Sequence, residues 1–150
     1  AHIRAEVWMA ICQGATAIGY FTHVWKPSYD QFGVPEENQE ALRRINNRIT
    51  RLAAAILDRP SQQSVTIEAA SETKLAVMAR QHGDDLYIFA VNYDEREVSS
   101  EATIAVEGLT ADTSLVVVDE DRTITSGASS FADTFAPLAV HIYRIAGQKH

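Results

Sequence analysis

The sequence predicts an α+β protein: a partial (β/α) barrel segment, ordered helix-strand-helix, followed by an antiparallel β-sandwich. Three observations predict it. Apolar residues recur at helical spacing up to Cys12 and again from Leu42 to Ile56. Between them, the run Ala15 to Phe21 is small and apolar on both faces, as suits a strand covered on both sides. After Ser64 the periodicity becomes that of strands and stays so. Residues 1–60 are therefore expected to form the barrel segment and 61–150 the sandwich.

The first helix rests on Ile3, Val7, Trp8 and Ile11, with Met9, Ala10 and Cys12 making most of its circumference apolar. Gly14 supplies its stop. The Ala15–Phe21 strand follows after almost no loop, as in tight αβ connections. From Thr22 to Gly33 the chain carries His23, Trp25, Lys26, Pro27, Tyr29, Asp30 and Phe32, a loop rich in aromatic and hydrogen-bonding groups. A second helix begins near Pro35, where Glu36, Glu37 and Glu40 place negative charge at the positive end of its dipole. Its apolar stripe is Leu42, Ile45, Ile49, Leu52 and Ile56, and the arginines Arg43, Arg44, Arg48 and Arg51 read as a solvated face. Arg59 to Gln63 forms a short linker.

Strands are expected at Val65–Ala69, Leu75–Arg80, Leu86–Asn92, Ala102–Glu107, Leu115–Val118, Arg122–Thr125 and Ala139–Ile145, separated by turns such as His82-Gly83-Asp84-Asp85. Several short strands without an intervening helix argue a sandwich. Both alternating faces of Leu86–Val91 are apolar, so an element outside the sandwich must cover one of them, and the second helix is the expected cover.

With a net charge of -7 and no basic stripe outside one helix, the chain is not expected to bind nucleic acid. It has no apolar run long enough for a membrane span and no signal-peptide pattern, which leaves its localisation open. The single Cys12 excludes an intrachain disulfide and reads as a buried thiol. No metal-ligand spacing, phosphate loop or nucleophile elbow is present, and no cofactor is implied. The start at Ala1-His2-Ile3, without Met and helical at once, is expected of a piece of something longer.

Taken together, the first helix, the Gly-Ala-Thr-Ala-Ile-Gly-Tyr-Phe run, the aromatic loop, the long amphipathic helix and the all-β tail resemble the carboxyl-terminal end of a clan-A-type (β/α)8-barrel glycoside hydrolase. The tail segments Asp85–Asn92 and Phe131–Tyr143 are similar to the strand pairs that finish many such enzymes. The resemblance implies a last barrel strand, a loop with aromatic sugar contacts, a closing helix and a sandwich packed beside the barrel. It also implies that the acid/base carboxylate and the nucleophile lie earlier than the first helix. No catalytic residue is then expected here, and the two-carboxylate mechanism could not run on this chain alone.

A sugar site combines a flat aromatic platform with nearby hydrogen-bonding groups. Trp25, Tyr20, His23 and Tyr29 are the expected substrate-binding residues, against the alternative that they pack a barrel rim. Glu6 and Asp30 are the only carboxylates near them in sequence, and they form no recognisable pair. The expected function is a non-catalytic part of a glycoside hydrolase whose parent acts on oligo- or polysaccharides and whose sandwich stabilises the barrel. The alternative is a stand-alone carbohydrate- or protein-binding sandwich with a helical docking hairpin, using Tyr87, Tyr93 or Tyr143. The expected partners are carbohydrate through the parent, the remainder of the barrel, and a second copy of the chain, because an uncovered strand edge and a many-sided apolar helix drive pairing.

Overall fold

A computed structural model describes residues 1–147. Two helices, α1 (His2–Cys12) and α2 (Glu36–Ile56), precede eight strands: β1 (Val65–Ala69), β2 (Leu75–His82), β3 (Asp85–Asn92), β4 (Ser100–Val106), β5 (Ser114–Val117), β6 (Arg122–Thr125), β7 (Ser130–Phe135) and β8 (Val140–Ile145). The strands form two antiparallel sheets, one ordered β1-β4-β7 and the other β2-β3-β8-β5-β6. The fold is therefore α+β with an antiparallel sandwich, as the sequence predicts.

Strand alternation builds two cores on the two faces of the larger sheet. Leu86, Ile88 and Ala90 of β3 and Tyr143 and Ile145 of β8 point between the sheets, where they meet Ile104, Phe131 and Phe135. Phe89, Val91, Val140 and Ile142 point the other way, into a second core with α1 and α2. The register places Phe89 opposite Ile142 and Ile104 opposite Phe131, so large side chains meet across neighbouring strands.

The cover over β3 is α1, not α2. Trp8 is fully buried and stacks on Phe89 with ring centroids 6.1 Å apart, and the Cys12 thiol donates to the Phe89 carbonyl at 3.4 Å. Burial pushes that thiol up to about 12, which keeps it protonated and inert. The helix α2 instead closes the side of α1 and the edge of β2, burying Ile45, Ala55 and Ile56. Because α1 is apolar almost all round and α2 is amphipathic, the more apolar helix takes the more enclosed position.

Strand β7 was not marked by its periodicity. Phe131 and Phe135 are buried, but the inward position between them is Asp133, and a carboxylate there breaks the apolar alternation. The structure shows why it is tolerated: Asp133 accepts hydrogen bonds from Arg122 at 2.7 Å and from the Tyr143 hydroxyl at 2.8 Å.

The run from Ala15 to Phe21 does not form the expected strand. All eight strands are used within the two sheets, and no backbone–backbone hydrogen bond joins residues 16–23 to other described residues. Strand-like sequence without a neighbour has nothing to exchange ladder bonds with. The stop before it is as expected: Gly14 has φ of 98°, its N–H donates to the Ile11 carbonyl, and the Ala15 N–H donates to that of Ala10, the paired bonds of a Schellman end.

Candidate functional site

Although unpaired, the segment keeps a two-residue alternation, and this sorts its aromatics. Ile18 and Tyr20 pack against the helical core. Phe21, His23 and Trp25 lie on the other side, with ring centroids 4.7 Å apart for Phe21–His23 and 6.3 Å for His23–Trp25. Tyr29 returns from the far side of the loop to within 5.8 Å of His23 and 5.0 Å of Trp25. The result is an exposed aromatic face: Phe21 is 76%, Trp25 67% and Tyr29 56% exposed.

Local bonds hold the loop in this shape. Val24 and Asp30 exchange backbone hydrogen bonds at 2.8 and 2.9 Å. The Asp30 carboxylate accepts from the Phe32 N–H at 2.9 Å, and the Thr22 hydroxyl donates to the Gln31 carbonyl at 3.1 Å. Gly33 passes so close to Val24 that a Cβ on it would stand 2.6 Å from Val24 Cγ2, so only glycine closes the loop without displacing its neighbour. Asp30 is thus a loop-building residue.

The structure brings together three of the four expected substrate-binding residues, Trp25, His23 and Tyr29. Tyr20 faces α2, where its hydroxyl donates to Asn46 Oδ1 at 2.9 Å and burial raises its pKa. Phe21 takes a place on the aromatic face that the sequence reading gave to Tyr20. The signal for it was the spacing Phe21, His23, Trp25, which puts all three on one side of an extended chain. Beside this face a cleft of about 440 Å³ lies between α1, the loop and the start of α2. Its lining includes Glu6, Asn38, Phe21 and His23, so it offers hydrogen-bonding groups at the foot of the aromatic rings.

The arginine run of α2 is not simply a solvated face. Arg43 and Arg44 are exposed and pair with Glu40. Arg48, with only 17% of its side chain exposed, instead reaches Asp119 at 3.1 Å and the Val118 carbonyl at 3.2 Å. Arg51 joins it on the same Asp119 oxygen at 2.9 Å. These bonds tie α2 to the turn between β5 and β6.

Comparison with solved structures identifies the architecture. A variant of AmyP crystallised in complex with maltotriose aligns with a TM-score of 0.54 at 19% identity, covering 77% of this chain and 23% of the AmyP chain. An α-amylase from Anoxybacillus, described as representing a new glycosyl hydrolase subclass, aligns with a TM-score of 0.50 at 14% identity, covering 83% of this chain and 26% of its own. The fold of this chain matches a part of each of those two structures. It spans about a quarter of the length of those structures, and at these identities the likeness is one of fold. No family model and no curated protein sequence matches the chain.

Proposed function

We propose that this chain is the carboxyl-terminal part of a clan-A-type glycoside hydrolase, with residues 1–60 contributing to a (β/α)8 barrel and 61–150 forming the sandwich that stabilises it. The observation that carries the reading is the exposed face of Phe21, His23, Trp25 and Tyr29 at the end of a strand-like segment that lacks neighbours. A sugar ring stacks its apolar face on such rings while its hydroxyls find polar groups at the rim. Trp25 and Tyr29 are the stacking residues in this reading, and His23 is the nearest hydrogen-bonding group. Catalytic carboxylates would come from elsewhere in the parent. AmyP was crystallised with maltotriose, which makes an α-linked glucan the first ligand to try.

The alternative, a stand-alone sandwich that binds through its own aromatics, loses its platform. Tyr143 is fully buried, and Tyr87 and Tyr93 pack against the helical core. A homodimer of the isolated chain, joined through the uncovered segment, belongs to the same proposal.

In the intact parent, maltotriose should change Trp25 fluorescence, and Trp25→Ala should weaken oligosaccharide binding by about tenfold or more with the fold retained. Trp8→Ala should act through stability instead. Equal binding losses from both substitutions would make Trp25 a packing residue and overturn the sugar role.

A further inference from the structure

Away from the aromatic face, the amino-terminal halves of α1 and α2 enclose a cleft of about 470 Å³ whose polar lining consists almost entirely of donors. Arg4, Arg44 and Arg48 line it together with Trp8 and Asn38, and no Asp or Glu does. In a chain of net charge -7 this is a local concentration of positive charge. The three arginines also line an adjoining cleft of about 590 Å³, where Asp119 and Glu120 stand, so the carboxylates sit to one side of the guanidiniums.

The arginines are only partly occupied. Arg4 Nη2 donates to the Leu138 carbonyl at 3.1 Å, Arg48 is held by Asp119 and Val118, and Arg44 Nε comes no closer than 3.8 Å to Glu40. A guanidinium carries five N–H donors, so each retains several for another acceptor. Burial pulls the Arg48 pKa down, and the charge of Arg4 adds to this against the opposing pull of Asp119 and Glu120. A second, independent observation is the indole of Trp8. The residue is fully buried, it lines this cleft, and its Nε1–H has no hydrogen-bond partner among the described residues. The Arg48 guanidinium stands over the face of the Trp8 ring, 5.7 Å from its centre, so the least exposed charge of the three is stacked on the indole. Buried donors almost always find an acceptor, and the indole N–H finds none among the described residues.

We propose that this cleft binds a small oxyanion, a carboxylate or a phosphate group, with Arg44 and Arg4 at its mouth and Arg48, stacked on the Trp8 indole, at its floor. The assignment does not depend on the glycoside hydrolase reading, since none of these residues belongs to the aromatic face. The planar fork of a guanidinium matches the paired oxygens of either group.

The test uses the full chain with inorganic phosphate and malonate as probes and potassium chloride at matched ionic strength as the reference. The readout is the indole N–H resonance of Trp8, assigned by its persistence in Trp25→Phe. It should move saturably with phosphate, malonate or both, and which of the two moves it separates a phosphate site from a carboxylate site. Arg44→Gln, at a side chain 74% exposed and therefore free of the core, should weaken the response roughly tenfold. Arg43→Gln, on the same helix but outside the cleft, should leave it unchanged. A Trp8 resonance that follows only ionic strength, or one that responds equally in Arg44→Gln with the circular dichroism spectrum intact, would overturn the site.

Discussion

Gly33 shows how a single hydrogen can hold the proposed sugar-binding surface in place. The two arms of the aromatic loop approach so closely there that a methyl group would overlap the Val24 side chain and press on Asp30. Those two residues make the backbone pair that closes the loop. Gly33→Ala is therefore expected to spread the arms and separate Tyr29 from Trp25, whose rings are now 5.0 Å apart. Oligosaccharide binding by the proposed parent should fall about as far as in Trp25→Ala, with little change in the unfolding midpoint, since the loop is exposed. Tyr20→Phe should behave oppositely. It removes the bond to Asn46, costs about 0.5–1.5 kcal/mol of stability, and leaves sugar binding near its original level. A large binding loss in Tyr20→Phe would place Tyr20 on the ligand side after all.

Also at this scale, two carboxylates make folding sensitive to acid. The Asp94 carboxyl lies well below the usual carboxylate range because the Arg96 side chain and backbone N–H donate to it, with a further bond from the Lys74 N–H. At Asp133, burial works in the other direction, but hydrogen bonds from Arg122, Tyr143 and the Thr134 N–H together carry the group below its ordinary value. Both pKa values are lower in the folded than in the unfolded chain. Their contribution is thus fully present above the unfolded value of about 3.9, and it is lost as the pH falls below that toward the folded values. Denaturant midpoints measured between about pH 6 and pH 2 should fall on the acid side, and Asp133→Asn should flatten that fall while lowering the plateau. An acid limb identical in the variant would show that Asp133 is not one of its sources.

Among the elements, both helices and seven of the eight strands could be read from the chain because each carries an unbroken period over its own length. The exceptions have physical causes. Strand β7 hid behind the inward Asp133, which only the tertiary partners Arg122 and Tyr143 make tolerable. The run at Ala15–Phe21 has the composition of a strand but no neighbour to pair with, and pairing is not written in a segment's own residues. That α1 rather than α2 covers β3 was equally invisible, since periodicity names an apolar face but not what it meets. At the site, the aromatic loop was legible as a cluster, whereas the exchange of Tyr20 for Phe21 depended on which side of the alternation faces the helices. Element packing makes its own prediction. Trp8→Ala removes the largest side chain of the helical core and should cost about 3–5 kcal/mol, measured by urea unfolding. A loss below about 1 kcal/mol would mean that α1 docks weakly on β3.

For the molecule as a whole, what matters is how much apolar and hydrogen-bonding surface the chain leaves uncovered at one end. Phe21, Trp25, Tyr29 and Phe32 are all more than half exposed. The adjacent residues 16–23 make no backbone–backbone hydrogen bonds with other described residues. Exposed aromatic area favours burial, and unpaired backbone groups along the same stretch can be satisfied by another strand, so both drive association toward one surface. In the proposed parent enzyme, barrel neighbours would supply that strand. For the isolated chain the available partner is a second copy, and a two-fold arrangement lets each segment serve the other with the same surface. Sedimentation equilibrium should therefore show a concentration-dependent dimer, and replacing both Phe21 and Trp25 with Ser should shift it toward monomer without altering the circular dichroism of the sandwich. Oxyanion binding between α1 and α2 should persist in that double variant, because Arg4, Arg44 and Arg48 lie outside the exposed segment. A chain that stays monomeric at high micromolar concentration would mean that residues 16–23 are adequately served by solvent, and the case for missing barrel strands would weaken with it.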